Sequence, residues 1–382
     1  VPNFKPQDIL ARVHEKLPKG LDLLKSLVAQ NSFTTNREGV HKVQSALESH
    51  FWALGLKTSR TPSPKRADIL VAETPQAALE PPILLVGHSD TVHQPSSNFK
   101  VCKQISENKL SGPGVLDMKG GLVHILLALE VLKDLQLLNK IPIKVLVNSA
   151  EENSTAASAK LVQQLSAGAK EALVFEIGRK EGGVVTQRKG IVEFTIASKG
   201  KAAHSGNSFT EGVNAILPLC SIAVELEKLV NLDQGITVNI AQIKGGEHFC
   251  VVPASAALGI EIRTCDITQS ENVMSKVQNL VDSYGDRLEL LIETSTPPLN
   301  KIPQTDIMFE QFKNIASTYG FECKELVRVG GLSDANLIGS LGIPTLDALG
   351  PYGEGAHTDW EYIEIDSMAP RIASVIGWLI KN

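Results

Sequence analysis

The stretch Ile83-Leu84-Leu85-Val86-Gly87-His88-Ser89-Asp90-Thr91-Val92 decides how this chain is built. Four consecutive aliphatics follow Pro81-Pro82 and are closed by Gly87, which predicts a short strand buried on both faces, as in a parallel sheet. In an extended backbone, residues i and i+2 point to the same side. His88 and Asp90 therefore leave the strand end together: a metal-ligating imidazole beside a carboxylate able to orient it. An ordinary polar strand end would also accommodate the pair.

The same arrangement recurs downstream. Ile143 to Val147 predicts a β-branched strand, followed after Asn148-Ser149-Ala150 by the adjacent acids Glu151 and Glu152. Leu173-Val174-Phe175 predicts another, and Glu176 follows directly. Sites in open parallel sheets form beyond the carboxyl ends of strands, and His88, Asp90, Glu151, Glu152 and Glu176 all fall there. Neighbouring carboxylates repel, and solvent or a dication must compensate them.

Two glycine-rich stretches add to this set. Ser111-Gly112-Pro113-Gly114-Val115-Leu116-Asp117-Met118-Lys119-Gly120-Gly121 precedes an apolar helix from Leu122 to Leu132 and holds Asp117 in a constrained turn. By itself Asp117 also reads as a helix N-cap. Near the end, Gly350-Pro351-Tyr352-Gly353-Glu354-Gly355-Ala356-His357 presents a second histidine.

The remaining chain frames these segments. Apolar spacing over 6–30 predicts two short helices split at Pro18-Lys19-Gly20, and 36–54 predicts another helix ending at Gly55. Residues 69–72 read as a strand. Between 187 and 296 the order becomes strand (191–198), helix (212–229), strands (236–243 and 254–263), helix (271–283), strand (288–292). This βαββαβ order is that of a ferredoxin-like domain, here inserted into the first. Helix 306–319, strand 323–327, helix 334–341, strand 344–346 and a last helix over 367–380 return to the α/β pattern. The expected architecture is thus an α/β catalytic domain with a mainly parallel mixed sheet (1–186 and 297–382) and an inserted α+β domain (187–296).

With 382 residues, two domains are expected. A net charge of −5, without a dense Lys/Arg cluster, argues against nucleic acid as a partner. The five cysteines are scattered and form no C-x-x-C, so neither a disulfide framework nor a thiolate zinc site is indicated. No apolar run reaches membrane-spanning length. The chain begins at Val1 and shows no signal-like segment. A cytoplasmic location is expected, or a periplasmic or secreted one if an upstream signal has been removed.

Taken together, His88-Ser89-Asp90-Thr91-Val92, Gly112 to Gly121, Glu151-Glu152, Glu176, His204-Ser205-Gly206, Gly330-Gly331-Leu332-Ser333-Asp334-Ala335 and Ala356-His357 resemble the M20 metallopeptidases. Phe175-Glu176 and Val252-Pro253-Ala254-Ser255-Ala256 are most similar to the glutamate carboxypeptidase G2 type. The resemblance implies two Zn2+ ions, with Co2+ or Mn2+ as substitutes. Asp117 would bridge them, His88 and Glu176 would complete one, and Glu152 and His357 the other. A nitrogen and carboxylate set fits hydrolytic zinc, and such an ion pair can share a hydroxide and polarise a carbonyl.

The resemblance also implies roles for the neighbours. Glu151 would be the general base and Asp90 the orienter of His88. His204, which alone reads as surface polar, would stabilise the oxyanion. Arg263, which alone reads equally as a surface salt bridge, would bind the substrate carboxylate. Cys250, Gly331 and Ser333 would line the substrate pocket, and the Asp117-Met118 peptide would be cis. Cys250 stands where relatives usually carry Asn, and Leu332 where Thr is common, so an amide has become a weak thiol donor. The implied activity is hydrolysis of an amide next to a free carboxylate, in a small peptide or an N-acyl amino acid, by a homodimer joined through the inserted domain. A biosynthetic deacylase of the acetylornithine or succinyl-diaminopimelate kind is the nearest alternative, and a metal-free binding protein a remote one.

Overall fold

The computed structural model describes residues 4–153 and 156–381. In chain order the elements are α1 (Pro6–Val28), α2 (Arg37–Leu54), β1 (Lys57–Thr61), β2 (Ile69–Glu73), β3 (Ile83–His88), β4 (Lys103–Ser106), β5 (Lys109–Ser111) and α3 (Gly120–Asp134). Then follow β6 (Ile143–Asn148), α4 (Ala156–Ser166), β7 (Glu171–Val174), β8 (Gly183–Val185), β9 (Gly190–Lys199) and α5 (Ile216–Glu227). Next come β10 (Thr237–Gly245), β11 (Ser255–Thr264), α6 (Ile267–Asp282), β12 (Leu288–Thr296) and α7 (Pro303–Ser317). The chain closes with β13 (Lys324–Leu326), α8 (Asp334–Gly339), β14 (Thr345–Leu346), β15 (Gly353–Glu354), β16 (Tyr362–Glu364) and α9 (Met368–Lys381).

The chain divides into two compact units, one of residues 1–186, 301–327 and 333–382, the other of 187–300 and 328–332. The larger unit holds a six-stranded sheet in the order β1-β2-β6-β3-β7-β14. β3 runs parallel to both β6 and β7, and β7 parallel to β14, while β2 meets β6 and β1 meets β2 antiparallel. Every residue of β3 is buried, as the run of aliphatics before Gly87 requires. Its central place aligns the ends of three parallel strands, so His88 pairs with Asn148 in register and Phe175 N–H donates to Val86 O at 2.9 Å. The acids after β6 and β7 are thereby delivered beside His88.

The expected break at Pro18 does not occur, and α1 is a single helix with Pro18 inside it. An internal proline removes a hydrogen bond and costs about 3 kcal/mol in a free helix. Ile9, Val13, Leu17, Leu24, Leu27 and Val28 are all buried along one stripe against α3 and α9, and a Cβ on Gly20 would lie 2.7 Å from Leu127 Cδ1. Packing on both sides of the proline outweighs the local penalty. None of the described helices is long and apolar enough to cross a membrane.

In the smaller unit, β10-β11-β9-β12 form an antiparallel sheet. Phe194, Ile196, Leu219, Leu258 and Val277 make its core with α5 and α6. The element order is βαββαβ. α6 starts four residues earlier than expected because the Asp266 carboxylate caps it, accepting from Gln269 N–H at 2.8 Å.

Candidate metal centre

Six acidic and imidazole side chains from segments far apart in sequence converge past the ends of β3, β6 and β7. His88 Nε2 lies 3.2 Å from Asp117 Oδ1, 3.6 Å from Glu176 Oε1 and 3.8 Å from Glu151 Oε2. His357 Nε2 lies 3.0 Å from Asp117 Oδ2 and 3.2 Å from Glu152 Oε2. Asp117 therefore turns one oxygen to each histidine. The donors of His88, Glu151 and Glu176 fall within 4.8 Å of one another, as do those of His88, Asp117 and Glu152.

Local backbone explains each placement. Asp117 sits in a loop entered through Gly114 at φ +71°, and the Asp117-Met118 peptide is cis. The following Gly121 lets α3 start hard against β7, since a Cβ there would lie 2.1 Å from Phe175 O. The loop's amides point inward to the carboxylate of Glu361, which is fully buried and accepts from Gly114, Leu116 and Asp117 N–H. His357 itself has φ +65°, a conformation that disfavours a side chain, and its ring is half exposed.

Asp90 does more than orient a ring. His88 Nδ1 is 3.0 Å from the Asp90 carbonyl and 3.4 Å from its Oδ1, so the backbone oxygen is the nearer acceptor. The carboxylate, fully buried, accepts from Thr34 Oγ1 at 2.7 Å and from the backbone N–H groups of Glu151 and Glu152 at 3.1 and 3.3 Å. It thus fixes the turn that aims both glutamates. Beside it, Asn148 Nδ2 donates to both oxygens of buried Asp334.

The charge balance is that of a site built around cations. Burial raises Glu151 well above the usual carboxylate range, and the charges of Glu176, Asp334 and Glu152 add to the rise against His88. Burial also lifts Asp334 to about 7. Burial alone would raise Asp117, but His357 and His88 hold it well below its ordinary value. His88 is raised because Asp117 and Asp90 outweigh burial, and Asp117 and Glu152 push His357 up to about 10. Glu152 Oε1 is buried with no hydrogen-bond partner, an expense a native site compensates with a ligand. Hard oxygen and imidazole donors, no thiolate, an orphaned carboxylate oxygen and crowded acids together fit divalent ions such as zinc.

The other expected site residues lie as follows. Ser333, in the larger unit, is buried and commits its hydroxyl to Asp347 Oδ2 at 2.7 Å while capping α8. In the smaller unit, His204 bridges Val251 and Ser205 N–H donates to Cys250 O at 2.9 Å, which brings His204 and exposed Cys250 onto adjoining segments. Gly206 and Asn207 N–H both donate to His204 Nδ1, so its proton resides on Nε2. Arg263 forks onto Glu261 at 2.7 and 3.1 Å and donates from Nη1 to Gly330 O. Buried Arg188 donates to Gly331 O at 2.9 Å. Thr34 and Glu361 escaped the sequence reading. Asn148, directly before Ser149-Ala150-Glu151, and Asp334, within the Gly330 to Ala335 motif, were quoted there without a role.

Residues 84–381 match the signature of peptidase family M20/M25/M40. Carboxypeptidase G2 from Pseudomonas sp. (strain RS-16) is 25% identical over 378 residues, covering 94% of this chain and 88% of that protein. A tripeptidase from Staphylococcus aureus subsp. aureus Mu50 superposes with a TM-score of 0.78 at 26% identity, over 96% of this chain and 99% of that one. An M20 family metallo-carboxypeptidase from Sulfolobus solfataricus shares the fold with a TM-score of 0.73 at 20% identity, over 94% and 98%. On that signature, spanning most of its length, the chain belongs to peptidase family M20/M25/M40 and is an M20-family metallohydrolase.

Proposed function

We propose that this protein is a dizinc hydrolase that cleaves an amide bond next to a free carboxylate, in a C-terminal peptide or an N-acyl amino acid. The observation that carries the reading is the division of Asp117, with Oδ1 toward His88 and Oδ2 toward His357. A carboxylate shared between two imidazoles, each with its own glutamate, is a donor set for two ions. His88, Asp117 and Glu176 would hold one, and Asp117, Glu152 and His357 the other. When bound, the ions supply Lewis-acid polarisation of the scissile carbonyl and a water of lowered pKa.

The protein's own groups do the proton work. Burial raises the Glu151 carboxyl above its ordinary value, the direction that strengthens a general base. It takes the water proton at its carboxylate and passes it to the leaving amine. Asp90, through the Glu151 and Glu152 amides, keeps base and ligand from exchanging places. His204, with Nδ1 occupied as an acceptor, offers Nε2–H as a donor to the developing oxyanion. Arg263 has three of its five N–H groups engaged, which leaves two for a substrate carboxylate. The smaller unit also exposes Leu217 and Val224 on α5, Ile243 on edge strand β10 and Ile292 on edge strand β12, which favours a homodimer through that unit.

The kinship to carboxypeptidase G2 supports the carboxylate requirement. Zinc analysis combined with a panel of dipeptides, N-acyl amino acids and their C-terminally amidated counterparts tests it. Two zinc ions per chain are expected, and amidation should reduce catalytic efficiency at least a hundredfold. Failure of every amide substrate with the zinc-loaded enzyme overturns the reading.

A further inference from the structure

We propose that Glu361 is a positioning residue that couples Asp117 to His357 and so sets how tightly the Asp117–Glu152–His357 position holds its ion. The inference rests on the dimetal reading above and adds to it a residue that touches neither ion nor substrate.

Glu361 is completely buried, and its two oxygens receive four donors. Oε1 accepts from Leu116 N–H at 2.7 Å and Asp117 N–H at 3.0 Å, while Oε2 accepts from Gly114 N–H at 3.0 Å and His93 Nε2 at 2.7 Å. Hydrogen bonds to an ionised carboxylate are shorter and stronger than neutral ones. They hold three amides of the segment that links β5 to α3. The backbone of Glu361 joins the same loop: its carbonyl accepts from Ser111 Oγ at 2.8 Å and Gly112 N–H at 3.2 Å.

Its place in the chain gives this its consequence. Glu361 ends the segment that leaves β15 at Glu354 and carries His357, and it directly precedes β16, which pairs with β5 beside the Asp117 loop. One side chain thus ties together the two loops whose ligands meet at 3.0 Å. His88 at the end of β3 and Glu176 past β7 are fixed by the main sheet and do not depend on it. Loss of the carboxylate frees two of the three ligands at the second position but only one at the first.

The test is titration of Zn2+ into the chelator-stripped protein against a chromophoric competitor, with Co2+ absorption as a second record of coordination. For Glu361→Gln, whose amide would turn a donor toward donors, the second equivalent should weaken at least tenfold while the first stays within threefold. A defect of folding alone would not separate the two equivalents. Two equivalents of wild-type affinity, or equal loss of both in a folded chain, overturn the proposal. If Glu361→Gln does not fold, His93→Phe is read instead. It removes one donor to Oε2 and should weaken the second equivalent at least threefold, and an unchanged second equivalent overturns the proposal. Wild-type protein that binds fewer than two ions would sink the dimetal reading itself, which separates the two failures.

Discussion

Asp117 and His357, separated by 240 positions, meet at 3.0 Å between Oδ2 and Nε2, while the other Asp117 oxygen faces His88 at 3.2 Å. Asp117 is therefore the member on which both halves of the site depend, whereas Glu151 touches only the His88 side. Asp117→Ala should lose bound metal, because it withdraws a donor from both positions. Glu151→Gln should keep metal and lose about 10²–10⁴-fold in kcat, the range for removal of a general base. Zinc content and single-turnover rates on both variants decide it, and equal metal loss would mean that Glu151 is itself a ligand.

Much of this site could be read from the sequence because it is delivered by strand ends. The aliphatic runs before His88, Glu151 and Glu176 fix buried strands, and parallel pairing puts the residues just past them side by side. Asp117 and His357 sit in glycine-rich loops whose direction no periodicity specifies. Their place became readable only through the resemblance of whole motifs. Glu361 was invisible because three of its four donors are backbone amides, which every residue carries and which leave no mark in the sequence. Ser333 was read from a loop motif, which gives no hint that its hydroxyl is taken up by Asp347 and the α8 cap. Pro18 shows a local rule overridden by packing.

Asp90→Asn tests whether the carboxylate organises the glutamate turn. The variant keeps the Asp90 carbonyl that receives His88 Nδ1, so the imidazole stays oriented. It replaces one of two oxygens that receive Thr34, Glu151 and Glu152 with an NH₂ group that would face a donor. Metal affinity or activity should fall 10–100-fold, as for outer groups that aim ligands. An unchanged kcat/KM and zinc affinity would show that the turn holds without it.

Away from the metal centre, buried His124 should govern part of the acid limb of stability. Burial, with the charge of Arg371, lowers it to about 3, and its Nε2 is buried without a partner. The unfolded imidazole titrates near 6.5. Between pH 6.5 and 3 the unfolded chain then binds more protons than the folded one, so stability is fully present above 6.5 and falls as the solution is acidified. His124→Leu should flatten the decline of the urea midpoint between pH 6.5 and 4.5. At neutral pH it forfeits only the 3.3 Å contact of Nδ1 with Leu349 O. Parallel midpoint curves for the two proteins would remove His124 from this role.

Ser333 and Arg263, both proposed to meet substrate, can be told apart by how each fails. Ser333 caps α8, with a reciprocal bond from its own N–H to Asn336 Oδ1, and donates to Asp347 from a buried position. Ser333→Ala should cost about 1 kcal/mol of stability, the usual loss of a cap, with kcat/KM within threefold of wild type. Arg263 keeps its fork at a partly exposed strand end, where Arg263→Lys preserves charge but not planar two-point recognition. That variant should raise KM at least tenfold for substrates with a free carboxylate and leave amidated ones unaffected. The reverse pattern, in which Ser333→Ala raises KM and Arg263→Lys only destabilises, would reassign both residues. Urea unfolding beside the substrate panel reads the two effects independently, because a lost cap acts on every substrate alike through the folded fraction.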